Sequence, residues 1–149
     1  MLFLMVATLA AGMFAGAAIY ISLVEHPARV SCGTELAIRE FGPSYRRAAV
    51  MQAALALIGL LSGSVASWQL RDPATLAAAL LLGLVVPFTL LIVFPTNKRL
   101  LDPALDPRSA EASHLLARWA RLHAVRSVLS SAAFVVFVLR LRAAAPAVG

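Results

Sequence analysis

The chain has 149 residues, of which 61% are hydrophobic and only 13% charged, with a formal net charge of +6. Soluble domains average nearer half apolar and a quarter charged. The mean hydropathy of +0.86 therefore excludes an ordinary cytosolic enzyme, a disordered tail and a disulfide scaffold. The basic balance does not point to nucleic acid, because the arginines flank apolar runs, where they act as membrane-edge anchors.

Residues 2–24 carry no charge, and at about 1.5 Å per residue they exceed a hydrocarbon core of about 30 Å. A cleaved signal peptide wants a basic start and a shorter apolar core. No Lys or Arg precedes this run, so a retained span over 2–25 is expected. Pro27 is expected to end it, since the residue before a proline disfavours the helical region. Residues 27–45 then read as a loop with an amphipathic turn or short helix at the surface. The second uncharged run follows Arg46 and Arg47 and gives a span over 47–70. The third gives a span over 73–96. Only Arg71 and Asp72 separate the two, with Asp72 as N-cap and Pro73 as first helical residue of a tight antiparallel hairpin.

The fourth span is short of apolar residues. Residues 127–139 are uncharged, but that is roughly 20 Å of helix, too little to cross. A span over 120–142 must carry Arg126, and His123 with it, into the membrane. The stretch 107–121 before it is amphipathic, and Asp106 with Pro107 supplies a cap and a first-turn proline. One long helix from Pro107 to Arg142 is expected, its first third outside the hydrocarbon. The tail 143–149 is expected to fray.

The fold expected is thus all-α: a single membrane domain over residues 1–149, an antiparallel four-helix bundle whose fourth helix extends into the cytoplasm. Arg29, Arg39, Arg46, Arg47, Lys98, Arg99, Arg108, Arg118 and Arg121 fall on one side, against Arg71, Arg140 and Arg142 on the other. By the positive-inside rule the two large loops are cytoplasmic and both termini outside, in a setting expected to be a bacterial inner membrane. Gly12 and Gly16 form a small-xxx-small pair that allows close helix approach, either within the bundle or in a homo-oligomer, which is the expected assembly. Membrane lipids are the other expected partners, and nucleic acid is not one.

Polar residues gather at one end of such a bundle. Glu25 and His26 close the first helix, Pro95, Thr96 and Asn97 close the third, and Gln52 lies early in the second. On the fourth helix Trp119, His123, Arg126 and Ser130 are spaced i, i+4, i+7, i+11, within about 60° of one another. A charge in the bilayer costs at least about 2.5 kcal/mol, so this stripe should face the interior and Arg126 should find a partner. Glu25 is the nearest acid by topology. The structural alternative makes Arg126 a strut, bonded to carbonyls near Asn97. His123 and His26 can move protons near neutral pH or ligate a metal or haem iron; His26, at the membrane boundary, is alternatively an ordinary interfacial residue. Asn97 offers a donor and an acceptor to a ligand, or simply caps its helix. Tyr20 and Gln52 can wall a cofactor or ligand cavity, or bond a neighbouring helix, and Trp119 can wall the same cavity or sit in the interfacial aromatic belt. His114 reads as solvated surface. Cys32 is the lone cysteine, and no metal-binding or Ser/His/Asp motif is present.

With these residues placed, the chain resembles a family of small four-span membrane proteins that includes the fungal anthrone oxygenases. The resembling parts are the Gly-rich first span running into Glu25-His26-Pro27, the stretch Pro95-Thr96-Asn97-Lys98-Arg99, and Trp119-x-x-x-His123-x-x-Arg126. The similarity covers nearly the whole chain. It implies the four-span fold and oxidation of an anthrone to an anthraquinone with molecular oxygen, although bacterial members mostly lack an assigned substrate.

Two readings of function follow. In the first, the protein is an oxygenase-like oxidoreductase acting on a lipophilic, anthrone-type substrate in a pocket at the cytoplasmic end of the bundle. His123 or His26 serves as general base, and Arg126 and Asn97 stabilise the enolate. The chemistry is cofactor-free, or else His26 or His123 holds haem b or a single metal ion; the sequence leaves both open. In the second, the protein is a non-enzymatic membrane subunit or ligand-binding bundle whose Arg/His/Asn network is structural.

Overall fold

A computed structural model describes residues 1–144, and the described residues are helical with short connections. Four continuous rods are present, each long and apolar enough to cross a membrane. The first comprises α1 (Leu2–Tyr20), a π turn (Ile21–Glu25) and α2 (His26–Ser31). The second is α3 (Thr34–Leu70). The third comprises α4 (Pro73–Phe88), a second π turn (Thr89–Val93) and α5 (Phe94–Leu100), and the fourth is α6 (Ala110–Ala144). The rods form a square: α1 packs on α3 and α6, and α4 packs on α3 and α6. All four span the chain's apolar stretches with large side chains such as Leu61, Leu91, Trp68 and Val128 turned outward. A surface of that kind fits lipid and not water.

The expected hairpin is present. Asp72 caps α4, accepting from the Ala74 N–H, and Pro73 is the first helical residue. Arg71 takes the left-handed conformation at φ 51°, which turns the chain in two residues. The same Asp72 carboxylate accepts from Arg140 Nε at 2.6 Å, so this end of the hairpin is tied to α6.

Pro27 does not end the first helix, and residues 27–45 are not a loop. The rod runs on to Ser31, turns at Cys32 and Gly33 (φ 102°), and re-enters helix at Thr34. At Pro27, and likewise at Pro95, the reason lies in the two π turns; Pro43 is carried inside α3 without one. The His26 N–H bonds the Ile21 carbonyl, and the Phe94 N–H bonds the Thr89 carbonyl, each five residues back and each just before a proline. A proline lacks an N–H and its ring crowds the carbonyl four residues back. Widening the preceding turn relieves that crowding and the helix continues. For the same reason Asn97 is not a C-cap: it lies inside α5, which is capped at Leu101.

The fourth helix starts at Ala110 and not at Pro107. Ser109 caps it, its Oγ accepting from the Ala112 N–H at 3.1 Å, while Asp106 folds back to accept from the Arg108 N–H. The helix continues through Ala144; the remainder of the expected frayed tail, 145–149, lies outside the described residues.

The interior divides into two stacked cores. One, between the apolar halves of the rods, includes Leu4, Phe14, Ala56, Leu82, Val85 and Phe137. The other, beyond it, includes Ile21, Phe41, Val93, Leu105, Leu116 and Trp119. The second core exists because α2, the start of α3, α5 and the start of α6 extend the bundle past the thickness of the hydrocarbon. Rods of 28 to 37 residues are about 42–55 Å long, against about 30 Å of hydrocarbon.

In the first core the helices approach closely. A Cβ on Gly63 would lie 2.8 Å from both Ala79 Cβ and Phe137 Cζ, and one on Gly12 would lie 2.8 Å from Phe134. Gly12 is therefore used inside the bundle, while Gly16 has open space beside it.

Candidate functional site

A cavity of about 160 Å³ lies where the two cores meet. Its walls come from every rod: Phe14 and Ile21 from the first, Phe41, Tyr45 and Gln52 from the second, Val85 and Thr89 from the third, and Trp119, His123 and Arg126 from the fourth. Both π turns contribute to the wall, through Ile21 and Thr89. Such bulges re-aim side chains and recur at functional sites.

The stripe on α6 faces inward. Trp119, His123, Ser127 and Ser130 are all buried, whereas Arg118 and Arg121 are exposed and free to reach the headgroups. His123 is only 1% exposed. Its ring stacks on Trp119, with centroids 4.7 Å apart, and its Nδ1 lies 3.0 Å from Ser22 Oγ. Trp119 meets Phe41 edge-on at 5.5 Å and His26 at 5.0 Å. These aromatic contacts fix the orientation of the imidazole without help from a carboxylate.

Arg126 is half-buried and its partner is not Glu25. Its Nη2 donates to Gln52 Oε1 across the bundle at 2.6 Å, and its guanidinium carbon sits 5.6 Å from the centre of the Phe14 ring, within cation–π range. A guanidinium only donates, so the Gln52 amide must turn its oxygen to Arg126 and its NH₂ away. Gln52 Nε2 and Arg126 Nε are both buried and have no partner among the described residues. Two unpaired N–H donors thus belong to residues walling one small cavity.

Glu25 is engaged closer to home. It pairs with Arg29, one turn on, and accepts from Ser44 Oγ at 3.0 Å. Arg29 is buried and also lines the cavity. Its Nε lies 2.9 Å from Glu40 Oε2, an ion pair whose angle is poor for a hydrogen bond. This cluster joins α2 to the start of α3.

The remaining expected residues divide. Gln52, Trp119, His123 and Arg126 come together on the cavity wall. His26 is buried behind Trp119 and is not part of that wall; its Nδ1 has no partner among the described residues. Asn97 is buried on α5, away from the wall, with Oδ1 likewise unpartnered. Tyr20 does not line the cavity at all. It is 56% exposed, because its place on α1 points it out of the bundle. Among the described residues no group of three or more His, Cys, Asp and Glu side chains is placed to hold a metal ion. The sequence reading missed Ser22, Arg29, Tyr45 and Ser127. Ser127 was legible, four residues after His123 on the same stripe, and Arg29 stands one turn after Glu25.

Comparison with known proteins bears on this geometry. The sequence model of a family described as "Anthrone oxygenase" matches residues 41–136, well over half the chain, and that segment holds Gln52, Trp119, His123 and Arg126. A curated relative, Anthrone oxygenase tpcL of Aspergillus fumigatus, is 49% identical over 47 residues. The matched stretch spans 30% of this chain and 29% of that protein's length. No solved structure matches.

Proposed function

Because the chain belongs to the anthrone oxygenase family, we propose that it is a membrane-embedded, oxygenase-like oxidoreductase acting on a lipophilic aromatic substrate of the anthrone type. The observation that carries this reading is the meeting, on the wall of one mostly apolar cavity, of His123 with two residues, Gln52 and Arg126, that each carry a buried, unpaired N–H donor. Apolar walls with few polar groups suit an aromatic ring system. Buried unpaired donors suit an oxygen that gains negative charge.

The chemistry balances with molecular oxygen as the oxidant. His123 takes a proton from the methylene carbon of the anthrone, leaving an aromatic enolate whose oxygen receives the Arg126 and Gln52 N–H groups. Oxygen adds at the former methylene carbon and accepts two electrons from the ring system, and the imidazolium returns its proton to the peroxide. The imidazole then removes the second hydrogen from that carbon. The C–H electrons form the new carbonyl, the O–O bond breaks, and the departing hydroxide takes the proton as water. One anthrone and one O₂ become one anthraquinone and one water.

Oxygen uptake by the purified protein with an anthrone as probe tests this. His123→Ala should lower the rate by about 10²–10⁴, the usual worth of a positioned base, while the variant remains folded. Wild-type protein that leaves the rate at its uncatalysed value would refute the assignment. An absorption spectrum of the same preparation addresses haem: a Soret band would give a histidine nitrogen an iron to hold instead of a proton to move.

The second reading, a bundle in which Arg126 is a strut, draws on the Arg126–Gln52 bond that joins α6 to α3. It accounts for one guanidinium nitrogen but not for the unpaired Nε and Gln52 Nε2.

A further inference from the structure

We infer that Ser22 and Ser127 are positioning residues that hold neutral His123 in a single tautomer, with the proton on Nδ1 and the lone pair on Nε2. The catalytic consequence rests on the proposed role of His123 as base; the tautomer itself does not.

One chain of contacts, read proton by proton, links Ala18 to the imidazole. Ser127 Oγ lies 3.0 Å from the Ala18 carbonyl oxygen and 3.3 Å from the His123 carbonyl oxygen. A carbonyl only accepts, and two of the three oxygens around Ser127 Oγ are carbonyls, so the one Ser127 hydroxyl proton is assigned to a carbonyl. Ser22 Oγ lies 2.9 Å from Ser127 Oγ, and with Ser127's proton committed, Ser22 is the donor in that contact. Ser22 then has no proton left for the imidazole. Its oxygen is 3.0 Å from His123 Nδ1, and the contact is a hydrogen bond only if Nδ1 carries the proton. On this assignment the neutral ring is bare at Nε2, the nitrogen left for the cavity that His123 lines.

The local backbone explains why the relay exists. Ser22 sits on the π turn Ile21–Glu25, which shifts the register of the first rod as it passes α6. Ser127 stands four residues after His123 on the inward stripe. Histidine bases are commonly oriented by a carboxylate or a carbonyl at the second ring nitrogen. Here two hydroxyls ending on a carbonyl do the same with no buried negative charge, which the membrane setting would make costly.

The test is nitrogen NMR of protein labelled with ¹⁵N-histidine, in detergent at a pH where His123 is neutral, with His123→Gln used to assign its signals. Wild type should show a protonated Nδ1 and an unprotonated Nε2. Ser127→Ala removes the acceptor for Ser22's proton, so Ser22 turns to donate to Nδ1 and the tautomer inverts. Ser127→Thr keeps the hydroxyl and should keep the wild-type tautomer. A wild-type ring protonated on Nε2, or a tautomer unmoved in Ser127→Ala, overturns the inference. Oxygen uptake on the same samples separates the two proposals. If the tautomer inverts as expected but turnover of the anthrone does not change, the relay stands and the base assignment falls.

Discussion

Arg126 donates to Gln52 at 2.6 Å, a bond between the second and fourth rods made where a long run of apolar residues has just begun on each. It holds the guanidinium against the cavity and the Phe14 ring. Replacing Gln52 with Leu keeps the volume but leaves the Arg126 nitrogen with no acceptor. Hydrogen bonds to charged groups contribute about 1.5–3 kcal/mol, so Gln52→Leu should lower stability by about that amount, read from unfolding in a mild detergent. Gln52→Glu restores an acceptor and should recover most of the loss. Equal stability of all three proteins would show that the bond is not made.

A packing contrast tests the close approach of the rods. Gly63 faces Ala79 and Phe137 with no room for a Cβ. Gly63→Ala should then destabilise by about 1–3 kcal/mol, the usual cost of overpacking. Gly16 has nothing within 4 Å of the same position, and Gly16→Ala should leave the unfolding midpoint unchanged or raise it. If both substitutions behave alike, the helices are not spaced as described.

Orientation is an expectation from charge. The nine-to-three distribution of basic residues puts the cavity end of the bundle on the cytoplasmic side. Reporter fusions at Leu70 and at Leu105 should report opposite sides, the second cytoplasmic.

Much of this arrangement was legible in the residues, for identifiable reasons. Spans and the Asp72 hairpin follow from local hydropathy and capping chemistry, which do not depend on the rest of the chain. The inward stripe of α6 followed from helical spacing and the cost of burying a charge. The extended second core was not legible, because the proline rule fails at Pro27 and Pro95, where a π turn precedes the proline, and at Pro43, which lies inside α3 with no such turn before it. Glu25 was the wrong partner for Arg126 because topology alone ignores the nearer claim of Arg29 on its own helix. Tyr20 was misplaced because its depth in the membrane says nothing about which way it faces.

The connection between α5 and α6 offers a pH test away from the membrane. The Ala104 backbone N–H, and then the Arg99 guanidinium, hold the Asp102 carboxyl below its ordinary value. A carboxyl depressed in the folded state contributes stability above its unfolded pKa of about 3.9 and loses it as pH falls through the folded value. Amide exchange over residues 101–109, corrected for its intrinsic pH dependence, should therefore accelerate below about pH 4. In Asp102→Asn the connection should already exchange faster at neutral pH. Exchange that is flat from pH 7 to 3 would remove this role for Asp102.

The last prediction concerns how a substrate reaches His123. The cavity wall includes Ala53 on α3 and Leu90 in the second π turn, and both are exposed on the outer surface. The cavity therefore opens sideways between the second and third rods, toward the side where lipid lies. Its volume of about 160 Å³ is below the ~300–1,000 Å³ typical of sites for drug-sized ligands. A three-ring substrate must extend through that opening. Ala53→Trp places an indole at this exposed position on the lip. It should raise KM for an anthrone strongly and spare the wild-type tautomer of His123. A small phenol that fits wholly inside should still bind, read as a chemical shift change on labelled His123. Unchanged KM for the anthrone in Ala53→Trp would mean that the substrate enters elsewhere.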